Sequence, residues 1–313
     1  MRNGILKGSQ PDNELVELTQ FPWIRLCKED FDPFFKNANP SDIGYKFVMN
    51  SMSSAQRSHG ILVNSFYELE STFVDYMNVE RPPKSWCVGP LCLAEWTPKV
   101  YSDEGLKPRW VAWLDQKLEE KCLVVYVAFG SQAEISSEQV EEIALGLEES
   151  ELSFLWVMRK EWGVPDGFEE RVKGRGMVVR EWVDQREILM HGSVEGFVSH
   201  CGWNSVLESV CAGVPILAWP MMAEQFLNAR MVEEELKVGL RVERCDGSVR
   251  GYVKREGLKK TVMEMMEGDK GRKAREKVRE LAQMAKLATQ EGGSSWSTLE
   301  SLLSETCACQ DKE

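Results

Sequence analysis

The run Leu123-Val124-Val125-Tyr126-Val127-Ala128-Phe129, closed by Gly130-Ser131, decides the fold class. It is apolar without alternation, which reads as a strand covered on both faces, as in a parallel sheet between helix layers. A helix follows it. Ser136 with Gln139 three residues on is a capping-box pattern, and Val140, Ile143, Ala144 and Leu147 make an apolar stripe at helical spacing. The alternation then repeats. Strands are expected at 153–159, 177–179, 194–199, 215–219 and 239–242. Between them lie helices at 185–191, at 224–237, and from the loop His200-Cys201-Gly202-Trp203 to a stop at Gly213. Strands and helices in this order imply an α/β fold with a mostly parallel sheet. Residues 254–304 continue as amphipathic helix, broken at Gly268 and at Gly292-Gly293.

The first hundred residues are less regular. Prolines and aromatics crowd 21–40, Ser41 is the expected cap of a helix reaching Arg57, and residues 61–66 read as a strand. Prolines at 82, 83, 90, 98 and 108, with charges between them, read as an interdomain linker. Three parts follow: a partial N-terminal domain with linker over 1–107, a complete domain over 108–290, and a C-terminal helix with polar tail over 291–313.

Composition narrows the function. The 313 residues carry 38 basic and 50 acidic side chains, a net charge of −12, with 43% hydrophobic residues. Such a chain buries a core, and its acidity argues against nucleic acid or anionic membrane as partners. No apolar run approaches the roughly 20 residues of a membrane span. Nine cysteines are scattered without a C-x-x-C pair, and three histidines leave no metal-ligand set. Reduced thiols, no metal, a cytoplasmic location and a monomeric state are expected.

In an open parallel sheet, ligands bind beyond the carboxyl ends of the strands. Four loops there carry Gly130-Ser131, Trp182-Val183-Asp184-Gln185, His200-Cys201-Gly202-Trp203-Asn204-Ser205 and Met221-Met222-Ala223-Glu224-Gln225. The helix beginning near Asn204 offers N–H groups and the positive end of its dipole to a phosphate. Gly202 permits close approach, and His200, Asn204 and Ser205 add donors. A tryptophan at a strand end stacks a base, and Glu224-Gln225 suits sugar hydroxyls. Together these point to an anionic ligand with an aromatic head and a polyhydroxyl tail.

The 44 residues from Trp182 to Gln225, with Phe197-Val-Ser-His-Cys-Gly-Trp-Asn-Ser205 and Trp219-Pro-Met-Met-Ala-Glu-Gln225 inside them, resemble the donor-binding box of plant family 1 UDP-glycosyltransferases. The likeness extends to Gly60-Ile-Leu-Val-Asn-Ser-Phe-Tyr-Glu-Leu-Glu70, Gly89-Pro90 and Val127–Ser131. It implies two Rossmann-like domains of the GT-B type, the C-terminal one complete here and the N-terminal one partial. It also implies a role for each matching residue. Trp182 stacks on uracil, the Val183 backbone and Gln185 bond the base, and Glu208 takes the ribose hydroxyls. Ser131, His200, Asn204 and Ser205 hold the diphosphate, while Trp203, Glu224 and Gln225 meet the sugar. Two departures stand out: Val183-Asp184 replaces the frequent Ala-Pro, and Glu195 stands where glycine is common.

The implied reaction transfers glucose from UDP-glucose, with inversion, to a hydroxyl of a small lipophilic acceptor of flavonoid or phenolic type. UDP-glucose is then a donor substrate, and no cofactor is implied. The family's early acceptor-side units, with their histidine base and its aspartate, have no counterpart in residues 1–107, so an N-terminally truncated member is expected. His59, His191 and His200 are not assigned as base, and no catalytic residue is assigned. The alternative is a UDP-sugar-binding module without independent turnover. A nicotinamide oxidoreductase is set aside, because no glycine fingerprint follows any strand.

Overall fold

The computed structural model describes residues 6, 11–36, 39–80, 83–94, 97, 99, 101, 107–246 and 249–310. Most of the N-terminal ten residues, linker residues 81, 82 and 98, and the tail from 311 lie outside that set, as does the side chain of Cys309. In chain order the elements begin with β1 (Val16–Glu17), β2 (Arg25–Leu26), α1 (Pro33–Lys36), α2 (Ile43–Gln56), β3 (Gly60–Val63), α3 (Tyr67–Glu80) and β4 (Lys84–Cys87). Next come α4 (Arg109–Glu119), β5 (Val124–Ala128), α5 (Ser137–Ser150), β6 (Ser153–Val157), α6 (Phe168–Arg171), β7 (Gly176–Val179) and α7 (Gln185–Leu189). The rest are β8 (Val194–Ser199), α8 (Trp203–Ala212), β9 (Ile216–Ala218), α9 (Gln225–Arg230), β10 (Gly239–Arg241), α10 (Arg255–Glu267), α11 (Asp269–Thr289) and α12 (Ser294–Gln310). The chain forms two compact units, one of residues 1–37 with 99–278, the other of residues 38–98 with 279–313.

The first unit is built on a six-stranded sheet in the order β10-β9-β8-β5-β6-β7, parallel throughout. Its central strand β5 is buried at every position. Val125, Val127 and Phe129 point to one core with Val140, Ile143, Leu147, Leu258 and Val262 of α5 and α10. Val124, Tyr126 and Ala128 point to the other, with Trp110 and Leu114 of α4 and Ile188 of α7. The strand period of two thus divides one apolar run between two cores. Each fully buried large side chain contributes about 1.5–3 kcal/mol, so the sheet is anchored from both faces.

From β5 the chain winds outward through β6 to β7, then returns to place β8 on the other side of β5. The order reverses between β5 and β8, and their carboxyl ends open the crevice where such folds bind ligands. This is the expected Rossmann-like arrangement. Local signals hold as well. Ser136 Oγ accepts the Gln139 N–H at 3.3 Å, and Gly213 ends α8 at φ 73°. The Gln139 side chain does not return to Ser136 to complete a capping box. It pairs both ways with the Val253 backbone, at 2.7 and 3.1 Å, fastening α5 to the start of α10.

The second unit holds a βαβ element: β3 and β4 pair in parallel around α3, with Leu62 opposite Trp86. Its α12 is joined to the same unit by Lys84–Glu305 and Ser294–Glu68.

The structure corrects several expectations. The described residues of 1–107 hold four short strands where the sequence suggested one, and β4 lies inside the stretch read as linker. Proline-rich flanks masked it. Asp42, not Ser41, caps α2, accepting the Gly44 N–H at 2.9 Å. The helix expected at 224–237 ends at Arg230 and continues as a π-type turn over Met231–Glu235. The domain boundaries expected at 107/108 and 290/291 remain a proposal beside the two units that contact defines. Residues 11–36 are fastened within the first unit by pairs such as Asp30–Arg230 at 2.7 Å, which no local composition reveals.

Candidate active site

The candidate residues cluster on the loops at the carboxyl ends of β5, β7, β8 and β9, the rim that the topology selects. Beyond β7, Trp182 projects with 84% of its surface exposed. Val183 turns inward against the core under β5. Asp184 then caps α7 by accepting the Arg186 N–H at 3.1 Å. These contacts explain the Val183-Asp184 departure: one residue packs and the next caps.

Gln185, the first residue of α7, is the hub of a network. Its Nε2 donates to Ser205 Oγ at 3.0 Å and to Glu208 Oε2 at 2.6 Å, and its Oε1 accepts from the Tyr126 hydroxyl at 3.3 Å. Residues from β5, α7 and α8 thereby meet at one point. Burial pushes the Glu208 carboxyl above its ordinary value, against the opposing pull of the Gln185 hydrogen bond. Burial, and then the Glu208 charge, likewise raise the Tyr126 phenol.

The loop after β8 is tightly specified. Ser199 Oγ accepts the Cys201 N–H at 3.1 Å, Asn228 Nδ2 donates to the Cys201 carbonyl at 2.9 Å, and Cys201 itself holds φ 63°. A buried non-glycine residue in that region stores strain that its surroundings must offset. The loop delivers His200 between two glycines. A Cβ on Gly130 would lie 2.9 Å from its Cε1, and one on Gly202 only 2.6 Å from its Nε2. Burial holds the His200 imidazole below its ordinary value, the Glu224 charge pulling the other way, so the ring is neutral at pH 7. Its Nδ1 is buried without a hydrogen-bond partner. Such an atom marks a place that a ligand can satisfy. Gly202 is the N-cap of α8 and, lacking a side chain, makes no cap hydrogen bond of its own.

After β9, Gln225 Oε1 accepts the N–H groups of both Met221 and Met222 at 3.0 Å. Its amide nitrogen is left as the donor end for a ligand. A recess of about 130 Å³ is lined by Ser131, Gln132, His200, Met221, Met222 and Gln225, among others. The structure thus gathers Ser131, His200 and Gln225 around one recess, and Gln185, Ser205 and Glu208 in one network. Trp182, Asn204 and Glu224 stand exposed on the rim, and Trp203 is half-buried. Sequence reasoning missed Gln132 and the Tyr126 hydroxyl. Gln132 directly follows Gly130-Ser131 at the end of β5, which was a usable signal; Tyr126 was hidden as one more apolar strand residue.

The other histidines have different tasks. His191 bridges Asp115 Oδ1 at 3.1 Å and Ser193 Oγ at 2.8 Å, while His59 stacks on Trp86 in the second unit. Glu195, the second departure, faces the Arg275 guanidinium, which donates to the Glu195 carbonyl at 3.2 Å. Among the described residues, no group of three or more His, Cys, Asp or Glu is placed to hold a metal ion, and no helix is long and apolar enough to cross a membrane.

A family described as "UDP-glucoronosyl and UDP-glucosyl transferase" matches residues 116–248, which contain all four loops. The chain is 55% identical over 97% of its length to UDP-glycosyltransferase 90A1 of Arabidopsis thaliana, and spans 63% of that protein. Among solved structures, a UDP-glucosyltransferase from Polygonum tinctorium capable of glucosylating indoxyl is similar at 33% identity and TM-score 0.79, over 96% of this chain and 67% of the other. A second, Phytolacca americana UGT2 complexed with UDP-2fluoro-glucose and pterostilbene, is similar at 37% identity and TM-score 0.76, over 90% and 60%. With the fold, the rim residues and these likenesses in agreement, the chain belongs to the plant family 1 UDP-glycosyltransferases.

Proposed function

We propose that the chain is the UDP-sugar-binding part of a glycosyltransferase that moves glucose from UDP-glucose, with inversion, to a hydroxyl of a small lipophilic acceptor. The observation that carries this reading is His200, neutral, seated between Gly130 and Gly202 with Nδ1 unsatisfied at the start of α8. A neutral ring can donate to a diphosphate oxygen without contributing a full charge. The α8 dipole, equivalent to about half a positive charge at its start, favours the developing charge on the departing UDP. Ser131, Asn204 and Ser205 complete the diphosphate contacts.

Trp182, exposed on the rim, stacks on uracil, and the Val183 backbone and Gln185 bond the base. Glu208 accepts the ribose hydroxyls, and Trp203, Glu224 and Gln225 hold the sugar. The ligands named for the Phytolacca americana structure and the indoxyl named for the Polygonum tinctorium enzyme support a flat phenolic or flavonoid-type acceptor. A cytoplasmic monomer is part of the same reading.

The second reading, a donor-binding module without independent turnover, is favoured by the histidines. His191 is engaged at both nitrogens, His59 is stacked on Trp86, and His200 lines the donor recess. Titration calorimetry with UDP, UDP-glucose and UDP-galactose tests the part common to both readings. Binding of UDP with a preference for the glucose donor is expected; no binding of UDP would remove the donor-site reading altogether.

A further inference from the structure

The sugar-facing loop is held from outside the donor box. Three successive N–H groups in it are taken: Met221 and Met222 by Gln225 Oε1, and Ala223 by Oδ2 of Asp32 at 2.8 Å. Ala223 sits at φ 51°, a conformation that a residue with a Cβ adopts only when its surroundings impose it. Glu224 and Gln225 follow directly, so the direction of both depends on that backbone turn. Asp32 is itself fixed, because its other oxygen accepts the Phe34 N–H at 2.9 Å. The segment around it is fastened to α9 and its flanks. Arg250 donates to the Glu29 and Phe31 carbonyls at 3.2 and 2.8 Å and lies 3.7 Å over the Phe226 ring, while Asp30 pairs with Arg230 at 2.7 Å.

We infer that Asp32 is a positioning residue for the sugar end of the donor site: its carboxylate holds Ala223 in the turned conformation that directs Glu224 and Gln225 toward the sugar. The inference rests on the donor-site reading above and extends it to a residue 191 positions away in the chain. It predicts an effect confined to the sugar. On the donor-site reading, UDP itself meets Trp182, Gln185, Glu208 and the start of α8 rather than the turn at Ala223 that Asp32 holds.

The test is the ratio of UDP-glucose to UDP affinity, measured by calorimetry on the full 313-residue chain and its variants. In Asp32→Ala the ratio is expected to fall about tenfold, the size of one lost charge-assisted hydrogen bond, with UDP affinity unchanged within about twofold. Asp32→Asn keeps an acceptor oxygen and is expected to retain most of the ratio. A merely structural residue would lower both affinities together and give no rescue by asparagine. If truncation to alanine prevents folding, Asp32→Leu, nearer in size but without an acceptor, replaces it. An unchanged ratio in the acceptor-less variant, or an equal loss in Asp32→Asn, overturns the assignment of Asp32 while leaving the donor site intact. Failure of the parent chain to bind UDP overturns both.

Discussion

The imidazole of His200 lies so close to Gly202 that a methyl group on that glycine would stand 2.6 Å from Nε2. Gly202 has an ordinary helical-entry backbone, φ −58°, so its lack of a side chain answers to space and not to conformation. Gly202→Ala is therefore expected to push the ring out of the recess without breaking α8. Loss of a hydrogen bond to a charged diphosphate costs about 1.5–3 kcal/mol. UDP affinity measured by calorimetry is expected to fall by that amount, and equal affinity in the two proteins would take His200 out of the diphosphate contacts.

Glu208 makes stability depend on pH in a definite direction. Burial raises its carboxyl above the ordinary value, so the folded chain binds that proton more tightly than the unfolded chain. Its contribution is fully present below the unfolded value, about 4.3, and is lost as the pH rises through the raised folded value. His200 acts oppositely, because burial depresses it: its contribution is lost as the pH falls below the ordinary histidine range. Glu208→Gln removes the first effect and leaves the second, and an amide oxygen still faces Gln185. The melting-temperature difference between variant and parent is expected to be near zero around pH 4 and to favour the variant increasingly toward pH 7. UDP affinity should drop at the same time, since the ribose loses a charged acceptor. A variant less stable than the parent at pH 7 would show that the Glu208 charge is satisfied where it stands.

Trp182 separates binding from folding. With 84% of its surface exposed, it adds little to the core, so Trp182→Ala should change stability by no more than about 0.5 kcal/mol. Base stacking on an aromatic ring contributes about 1–3 kcal/mol. The expected result is a UDP affinity lower by that amount at an unchanged melting temperature. A loss of both together would mean that the ring packs against protein, not base.

The sheet was legible because its signals are local. An unbroken apolar run such as Leu123–Phe129, ended by Gly130, reports a strand buried on both faces whatever lies elsewhere in the chain. The rim followed from topology, since fixing the order of strands and helices fixes which loops share an edge. What stayed hidden was long-range. Lys84-Ser85-Trp86-Cys87 forms β4 only because β3 lies beside it, and its proline-rich flanks argued locally for a linker. Asp32, followed by a proline, looked like an ordinary turn residue; its role appears only when Ala223 is brought against it. The pairing of Gln185 with Glu208 belongs to the same class, for two loops must meet before either side chain has a partner.

The 313-residue chain is expected to bind UDP-glucose yet transfer the sugar negligibly. An acceptor hydroxyl is a weak nucleophile at neutral pH, and a positioned general base typically contributes about 10²–10⁴-fold. We propose that none of the three histidines serves as that base. His191 is held at both nitrogens by Asp115 and Ser193, His59 stacks on Trp86, and His200 is neutral and lines the donor recess. Orientation of the acceptor is worth roughly 7–11 kcal/mol of the barrier when fully achieved, and the chain spans 63% of the length of the relative UDP-glycosyltransferase 90A1. Leaving-group stabilisation at α8 remains, but it cannot replace deprotonation and alignment. Mass spectrometry with UDP-glucose and a panel of flavonoids and simple phenols is expected to show no appreciable product from the chain alone. Product should appear when the N-terminal half of a close relative, carrying that family's histidine and aspartate, is fused ahead of it. Robust turnover by the chain alone would refute this, and His59→Ala would then test whether that exposed imidazole is the base.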